Sequence, residues 1–228
     1  APDVSHVSTQ LSPADDYSIV RTELLLADLE IVERRIEKIK KAAEFKDECQ
    51  RLSKIKEEIC QGKPPTLVQE GIPLLTTKKE IVVLNMDDEG TFAGSIDGYR
   101  LSVGLEEEIG DFSDEEKCEL RRDAHVDQAG PAGLIRLCLD QLSVILFYTI
   151  KGDESRAWPV TRGTTVFEAA GKIHTDMQKG FIKAEILAYE DFIRTGGFAQ
   201  AQNLGCTKIE GKDYVLRDGE IVLVKFRA

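Results

Sequence analysis

Two runs of apolar residues with heptad spacing constrain the first part of the chain most strongly. In the first run the apolar residues follow at alternating steps of four and three: Leu25, Leu29, Val32, Ile36, Ile39 and Ala43. This spacing is typical of a helix that packs along one seam against a partner helix, and it predicts a helix over residues 17–43. Residues 1–16, rich in Ser, Pro and Asp, are expected to form an extended lead-in.

The second run predicts the partner helix. Cys49, Leu52, Ile55 and Ile59 repeat the spacing, and Gly62 with Pro64 and Pro65 ends the helix at about Gln61. Two helices joined by a short link form an antiparallel hairpin. Such a hairpin is either an arm packed on its own domain or a projecting coiled coil that contacts a large partner, and both interpretations stay open.

Net charge separates the chain into two parts. The 228 residues carry a net charge of -11, yet residues 1–144 hold -12 and residues 145–228 hold +1. Phosphate contacts need Lys and Arg, so nucleic-acid binding over the whole surface, including binding to free DNA, is excluded. The length suits one or two domains, and the 42% hydrophobic content excludes a disordered chain. Neither an apolar run of ~18 residues nor a signal segment is present, so no membrane association is expected.

The five cysteines are expected to be free thiols. Their number is odd, their spacing is wide and no C-x-x-C occurs, which argues against a zinc site and favours a reducing, intracellular compartment.

The remaining pattern predicts short strands and helices. A buried strand is expected at 81–84, followed by a polar turn, a Gly-rich loop at 90–100, a brief strand and turn at 101–104, and helices at 114–122 and 134–142. The last part predicts strands at 144–150, 157–160 and 182–187, a helix at 166–174, and a hairpin over 213–226 around Arg217, Asp218 and Gly219. Strands mixed with one helix in so short a stretch indicate a small α+β domain.

Catalytic motifs are absent from this sequence. The string nearest to a phosphate loop, residues 205–213, has five residues between its glycines and Asp213 where a hydroxyl must stand, and no G-x-S-x-G occurs. The histidines His6, His125 and His174 have no metal-ligand spacing, and the acidic runs are typical of solvated faces. Trp158, near Arg156 and Arg162, belongs either to the core or to a surface that stacks on RNA bases.

Several strings resemble the YchF/Obg-like ATPase family, a relative of the GTPases, over nearly the whole chain. They are 22–30 (TELLLADLE), 74–78 (LLTTK), 155–158 (SRAW), 162–165 (RGTT), 169–176 (AAGKIHTD), 179–182 (KGFI) and 211–215 (GKDYV). The resemblance implies an α/β plus α+β fold. Residues 1–16 and 66–143 would form a partial P-loop-type G domain, residues 17–65 an inserted helical coiled-coil hairpin, and residues 144–228 a β-grasp TGS domain.

The resemblance also assigns a nucleotide-base site. The family carries an N-x-x-E variant of the base-reading motif N-K-x-D, and this chain has Asn85, Met86, Asp87 and Asp88 at those positions. Asn85 would support the loop and the base edge, the Asp88 carboxylate would accept from the base, and Met86 would form a soft apolar lid over the purine. Ser102 matches the next base-contact loop. ATP is the implied preference, although Asp88 is shorter than the family's Glu.

Two departures from the family pattern bear on activity. First, the family's phosphate loop, switch loops and D-x-x-G motif precede the position that matches Ala1. Second, the family has a helix between its Asn loop and its Ser loop, and the short Gly-rich stretch between Asn85 and Ser102 has no room for it. Because those groups hold phosphate and magnesium, this chain is expected to supply no catalytic residue, no metal ligand and no ATP turnover alone.

The resemblance therefore implies part of a cytoplasmic, ribosome-associated ATPase or GTPase that uses ATP or GTP with Mg²⁺ in its full-length form. The alternative is a non-catalytic module whose arm and TGS domain dock on a ribosomal or other RNA-protein partner. A regulatory TGS protein that senses a small nucleotide is a third reading without specific support.

Overall fold

The computed structural model describes residues 12–41, 43–86, 96–152 and 154–227. The chain divides into two compact units, Ala1–Leu134 and Ile135–Ala228. In the described ranges no helix is long and apolar enough to cross a membrane.

The first unit begins with a helical arm. Helix α1 spans Pro13–Ile39, a 3₁₀ turn spans Ala43–Phe45, and helix α2 spans Lys46–Cys60. The predicted hairpin is therefore present, but the predicted start of its first helix is wrong, since the helix includes residues 13–16. Ser12 accepts the Asp15 N–H as an N-cap and Pro13 occupies the first turn, which begins the helix early.

The predicted seam is the core of this arm. The buried residues of the seam are Leu25, Val32, Ile39, Leu52, Ile55 and Ile59, and Leu74, which follows the hairpin in sequence, joins the same buried cluster. Ala43 does not extend the first helix and lies in the 3₁₀ turn. Arg35 donates to Glu48 at 2.7 Å and Lys56 contacts Glu33 at 2.7 Å, so ion pairs between the helices flank the apolar seam.

A small parallel sheet follows the arm. Strand β1 spans Val83–Asn85 and strand β2 spans Tyr99–Leu101, with Val83 opposite Tyr99 and Asn85 opposite Leu101. The strand predicted at 81–84 is thus shifted, and residues 99–100 belong to a strand that the sequence placed in a loop. Gly98 permits this pairing, because a Cβ there would lie 2.9 Å from the Val82 carbonyl oxygen.

Three helices complete the described part of the first unit and lead into the second. They are α3 at Val103–Glu108, α4 at Asp114–Asp123 and α5 at Gly130–Gln141. Residues 103–104, expected in a strand and turn, begin α3 instead because the Ser102 hydroxyl caps it. The other two helices confirm the prediction, with α5 starting four residues earlier.

The second unit contains a mixed sheet with helices. Its elements are β3 at Val144–Lys151, β4 at Glu154–Thr161, α6 at Val166–Ile173, α7 at Thr175–Lys179, β5 at Phe181–Leu187, α8 at Tyr189–Thr195, α9 at Phe198–Asn203, β6 at Lys208–Glu210 and β7 at Ile221–Phe226. Among the described residues the strand order is β4-β3-β7-β5-β6. The β3–β7 pair is parallel and the other neighbours are antiparallel.

The core of this unit lies between the sheet and α6. Phe147, Val166 and Ala170 are fully buried there. Helix α6 begins at a capping box in which Thr165 and Glu168 satisfy each other's backbone N–H groups. The predicted helix at 166–174 is therefore confirmed, with His174 as the residue that follows it.

The hairpin predicted over 213–226 is wrong. Strand β7 pairs with β3 and β5, and Val215 instead forms an isolated bridge with Thr165. The turn at 217–219 is tied to β3, since Asp218 accepts the Leu146 N–H at 2.8 Å and the Gly219 N–H donates to the Leu146 carbonyl at 2.9 Å. Those contacts direct β7 into the centre of the sheet.

Candidate nucleotide-base site

At the carboxyl end of the small parallel sheet, the predicted site residue Asn85 lies beside the loop that contains Ser102. Asn85 is the last residue of β1, and its Oδ1 accepts the N–H of Val103, the residue after Ser102, at 3.2 Å. The Met86 N–H donates to the Leu101 carbonyl at 2.8 Å. In open α/β sheets ligands bind beside the carboxyl ends of parallel strands, so this edge is where a base site is expected.

Ser102 acts within the protein in this structure. Its side chain is buried, and its Oγ accepts the Leu105 N–H at 3.2 Å as the N-cap of α3. The cap fixes the start of α3 beside Asn85. A direct contact of Ser102 with a base stays a prediction, whereas its part in shaping the loop next to Asn85 follows from these bonds.

Met86 is packed inside the unit. Its exposed fraction is 3%, and it shares a buried cluster with Leu84, Ala124 and Val126. The side chain therefore supports the sheet edge from within the protein. The apolar lid over a purine stays a prediction, and it would need Met86 to leave this cluster.

The fourth predicted residue, Asp88, lies outside the residues that the structure describes, as does Asp87. Of the candidate site, the structure therefore describes Asn85, Met86, Ser102 and the start of α3.

A largely buried ion pair joins helices α3 and α4. Arg121 of α4 donates through Nε and Nη2 to the two carboxylate oxygens of Glu106 at 2.8 and 2.7 Å, and both side chains are largely buried. The hydrogen bond that Arg121 donates to Glu106 raises the pKa of Arg121. Glu106 is thus an exception to the expected solvated acidic run, because bidentate geometry and burial make the pair a rigid brace.

Asp127 extends the end of β2. Its Oδ2 accepts the Arg100 N–H at 2.7 Å, and its own N–H donates to the Arg100 carbonyl at 2.9 Å. Local sequence pattern does not predict this contact beyond an acidic residue before a helix, because the partner lies 27 residues away.

The remaining sequence candidates do not join this site. His125 contacts the Asp123 carbonyl through Nδ1 at 2.8 Å, His174 caps α7, and His6 lies outside the described ranges. Within the described ranges no group of three His, Cys, Asp or Glu side chains could hold a metal ion. All five cysteines are free thiols, as predicted.

Trp158 lies on β4 in the second unit. Its Nε1 donates to Thr149 at 3.0 Å, its ring stacks on Phe147 at 6.4 Å, and Arg156 lies 4.9 Å from its ring centroid. Arg162 pairs with Asp140 at 3.2 Å. These contacts place Trp158 against the core of the unit, with Arg156 covering its outer face.

Comparisons with known proteins give consistent results. A family model named YchF-GTPase_C, described as a protein of unknown function (DUF933), matches residues 144–227. The ribosome-binding ATPase YchF of Bacillus subtilis is 32% identical over 98% of this chain and 69% of its own length. Obg-like ATPase 1 of Bos taurus is 29% identical over 98% of this chain and 65% of its own length.

A solved structure agrees with these sequence matches. The Schizosaccharomyces pombe YchF GTPase superposes with a TM-score of 0.73 at 26% identity, covering 98% of this chain and 69% of that one. The alignment with the Bacillus subtilis protein runs over 253 positions, more than the 228 residues of this chain, so that relative has residues where this chain has none. From its motifs, its fold and these matches, the chain belongs to the YchF/Obg-like ATPase family.

Proposed function

We propose that this chain is the part of a ribosome-associated purine-nucleotide ATPase or GTPase that contains the base-binding edge, the helical arm and a TGS domain. The observation that carries the proposal is the hydrogen bond from the Val103 N–H to Asn85 at the carboxyl end of two parallel strands. It joins the two segments that the family motif assigns to base recognition. The sequence has no G-x-x-x-x-G-K-[ST] string, so phosphate binding is assigned to residues outside this sequence.

The chemistry of the base contact follows from the donor and acceptor groups of the motif. An amide at Asn85 can both accept and donate along a purine edge, and the Asp88 carboxylate can only accept. Relatives of this chain are called ATPases in some cases and a GTPase in another. We propose that ATP is the preferred nucleotide. Since Asp is one methylene shorter than the family's Glu, we expect Asp88→Glu to strengthen that preference.

Mg²⁺ would accompany the nucleotide in the full-length protein. Among the described residues no group of three His, Cys, Asp or Glu side chains could hold a metal ion, and we propose that the Mg²⁺ is held by the phosphate-binding groups outside this sequence.

We propose that residues 144–228 form a β-grasp TGS domain. The support is the topology: a β3–β4 hairpin, helix α6 over the sheet, and the last strand β7 at the centre, parallel to β3. Residues 17–65, with the start of α1 at Pro13, then form the helical arm.

We further propose that the arm tip contacts ribosomal RNA, which places the protein in the cytoplasm. A groove of about 680 Å³ at this end of the arm is lined by Lys40, Lys41, Lys46 and Lys54 beside Phe45 and Cys49. Lys40 also pairs with Glu37. Within a segment that is acidic as a whole, this local concentration of lysines suits phosphates.

The nucleotide part of the proposal is tested by binding affinity. The dissociation constants of ADP, GDP and CDP are measured by calorimetry for the full-length protein, which includes the phosphate-binding residues, and for its Asn85→Ala variant. We expect Asn85→Ala to weaken the binding of ADP and GDP by roughly tenfold, which corresponds to the loss of one or two hydrogen bonds, and to leave the dissociation constant of CDP unchanged. Gln50→Ala at the arm tip is the control. Equal weakening of CDP, or no change for ADP and GDP, would reject base recognition by Asn85.

A further inference from the structure

The helical arm contains a completely buried carboxylate. Asp28 lies in the middle of α1 with an exposed fraction of 0%, between Leu25 and Val32 of the apolar seam. An unpartnered charge in such a place would strongly destabilise the fold, so the contacts of Asp28 explain why it is tolerated.

The partners of Asp28 all come from one turn outside the arm. Oδ1 accepts the Leu75 N–H at 2.6 Å, and Oδ2 accepts the Thr76 N–H at 2.8 Å and the Thr76 hydroxyl at 2.6 Å. The Thr77 hydroxyl donates to the Leu74 carbonyl at 2.9 Å, which closes the turn on itself. Because hydrogen bonds to a carboxylate are stronger than neutral ones, the turn is fixed firmly on α1.

A second contact fixes the next residues along the chain. Glu80 accepts the Tyr17 hydroxyl at 2.6 Å and Arg21 Nη1 at 2.8 Å, both from the first half of α1. The hydrogen bond from Tyr17 lowers the pKa of Glu80, so the carboxylate is charged near neutral pH. The segment 75–80 is therefore held by α1 at both of its ends.

This segment leads directly into the strand that carries the base site. Only Ile81 and Val82 separate Glu80 from β1, a span of roughly 10 Å at most. The Val82 carbonyl accepts the Tyr99 N–H at 2.9 Å, and three residues later Asn85 accepts the Val103 N–H. Contacts thus run without interruption from α1 to the base-binding edge.

We propose that Asp28 is a positioning residue of the base site, which fixes the start of β1 to the helical arm. The relation is reciprocal: whatever moves α1, such as a partner bound to the arm, shifts the Asn85 loop, and a nucleotide at that loop stabilises the joint with α1. This inference deepens the proposed function, since it takes the Asn85 edge as the nucleotide site.

The test is amide hydrogen exchange resolved to single residues by NMR in the intact chain, without nucleotide. Asp28→Asn keeps the shape of the side chain but removes its charge and turns one acceptor into a donor. We expect exchange at Met86 and Val103 to rise about tenfold or more, while exchange at Ala124, which donates to Leu120 in α4, stays within about twofold of wild type. Glu48→Gln, which weakens the Arg35 pair inside the arm, is the matched control and should leave Met86 and Val103 unchanged.

A pair of milder variants separates positioning from simple loss of stability. Thr76→Val removes only the hydroxyl donor and should raise exchange at Met86 and Val103 several-fold, whereas Thr76→Ser retains the donor and should restore the wild-type rates. These two variants carry the test if Asp28→Asn does not fold. Faster exchange confined to residues 75–78, or an equal rise at Ala124, would overturn the proposal.

The outcome is independent of nucleotide binding. If Asn85→Ala leaves ADP affinity unchanged while Asp28→Asn still loosens Met86 and Val103, the base site is wrong and the joint between the arm and β1 is right. If instead Asn85→Ala weakens ADP binding while Asp28→Asn leaves exchange at Met86 and Val103 unchanged, the base site stands and only the joint between the arm and β1 is wrong.

Discussion

At the scale of single residues, the partly buried Tyr214 and the buried Glu220 form a hydrogen-bonded pair at the turn before β7. Tyr214 donates to Glu220 Oε1 at 2.6 Å, and Glu220 Oε2 accepts the Arg217 N–H at 2.9 Å. Burial, followed by the hydrogen bond to Glu220, raises the pKa of Tyr214 to about 12. The turn before β7 therefore depends on a neutral phenol.

This dependence predicts alkaline destabilisation of the second unit. An unfolded tyrosine titrates near 10, so the stabilisation is complete below about pH 10 and is lost as pH rises towards 12, by up to about 3 kcal/mol. Urea unfolding can be followed by the fluorescence of Trp158, the single tryptophan. Relative to wild type, Tyr214→Phe should lose less stability across this window, whereas the exposed Tyr189→Phe should follow wild type. Identical curves for Tyr214→Phe and wild type would contradict the assignment.

At the scale of elements, a close backbone approach fixes the end of β7 against β5. The Arg227 N–H donates to the Gly180 carbonyl at 2.9 Å, and a Cβ at Gly180 would overlap the Arg227 carbonyl oxygen. Since the obstacle is backbone, it cannot move aside as a flexible side chain would.

Gly180→Ala is therefore expected to destabilise the second unit by roughly 1–3 kcal/mol, the usual cost of overpacking. The measurement is again urea unfolding monitored by Trp158. Gly211→Ala is the matched control, because a Cβ there meets no atom within 4 Å and its backbone is not left-handed. Equal stability of the two variants would show that Gly180 has room to relax.

The elements differ in how well local sequence predicts them. The heptad seam and the helices at 114–122 and 166–174 depend on near neighbours, and the structure confirms them. The start of α1 near Ser12 was not predicted, because the Ser12 cap stabilises a helix in residues whose composition favours an extended chain. The hairpin prediction at 213–226 is wrong because β7 pairs with β3 and β5, which are distant in sequence.

In the candidate site, too, some contacts were predicted from the sequence and others were not. The motif predicted that Asn85 and the loop at Ser102 lie together, and the Val103 contact agrees with it. Sequence reasoning missed the Glu106–Arg121 brace and the contact of Asp28 with Thr76. Their partners lie 15 and 48 residues apart, and charge alone does not distinguish a buried acid from a solvated one.

At the scale of the whole molecule, the helical arm connects the proposed ribosome contact to the proposed base site. Replacing Lys41, Lys46 and Lys54 by Gln should weaken cosedimentation with ribosomes and make the remaining binding less dependent on salt, because fewer counterions are released. Lys63, Lys78 and Lys79 replaced by Gln form a control of equal charge. The arm-tip contact is wrong if both triple variants lose binding equally.

Base recognition at Asn85 is tested most directly by the position at which a purine nucleotide labels this chain. The intact chain is irradiated with 8-azido-ADP at increasing concentrations, and the adduct is located by mass spectrometry. We expect a saturable adduct within residues 85–103 that excess ADP prevents, that excess CDP does not affect, and that Asn85→Ala reduces. A saturable adduct confined to another part of the chain, or labelling that CDP competes as well as ADP, would contradict it.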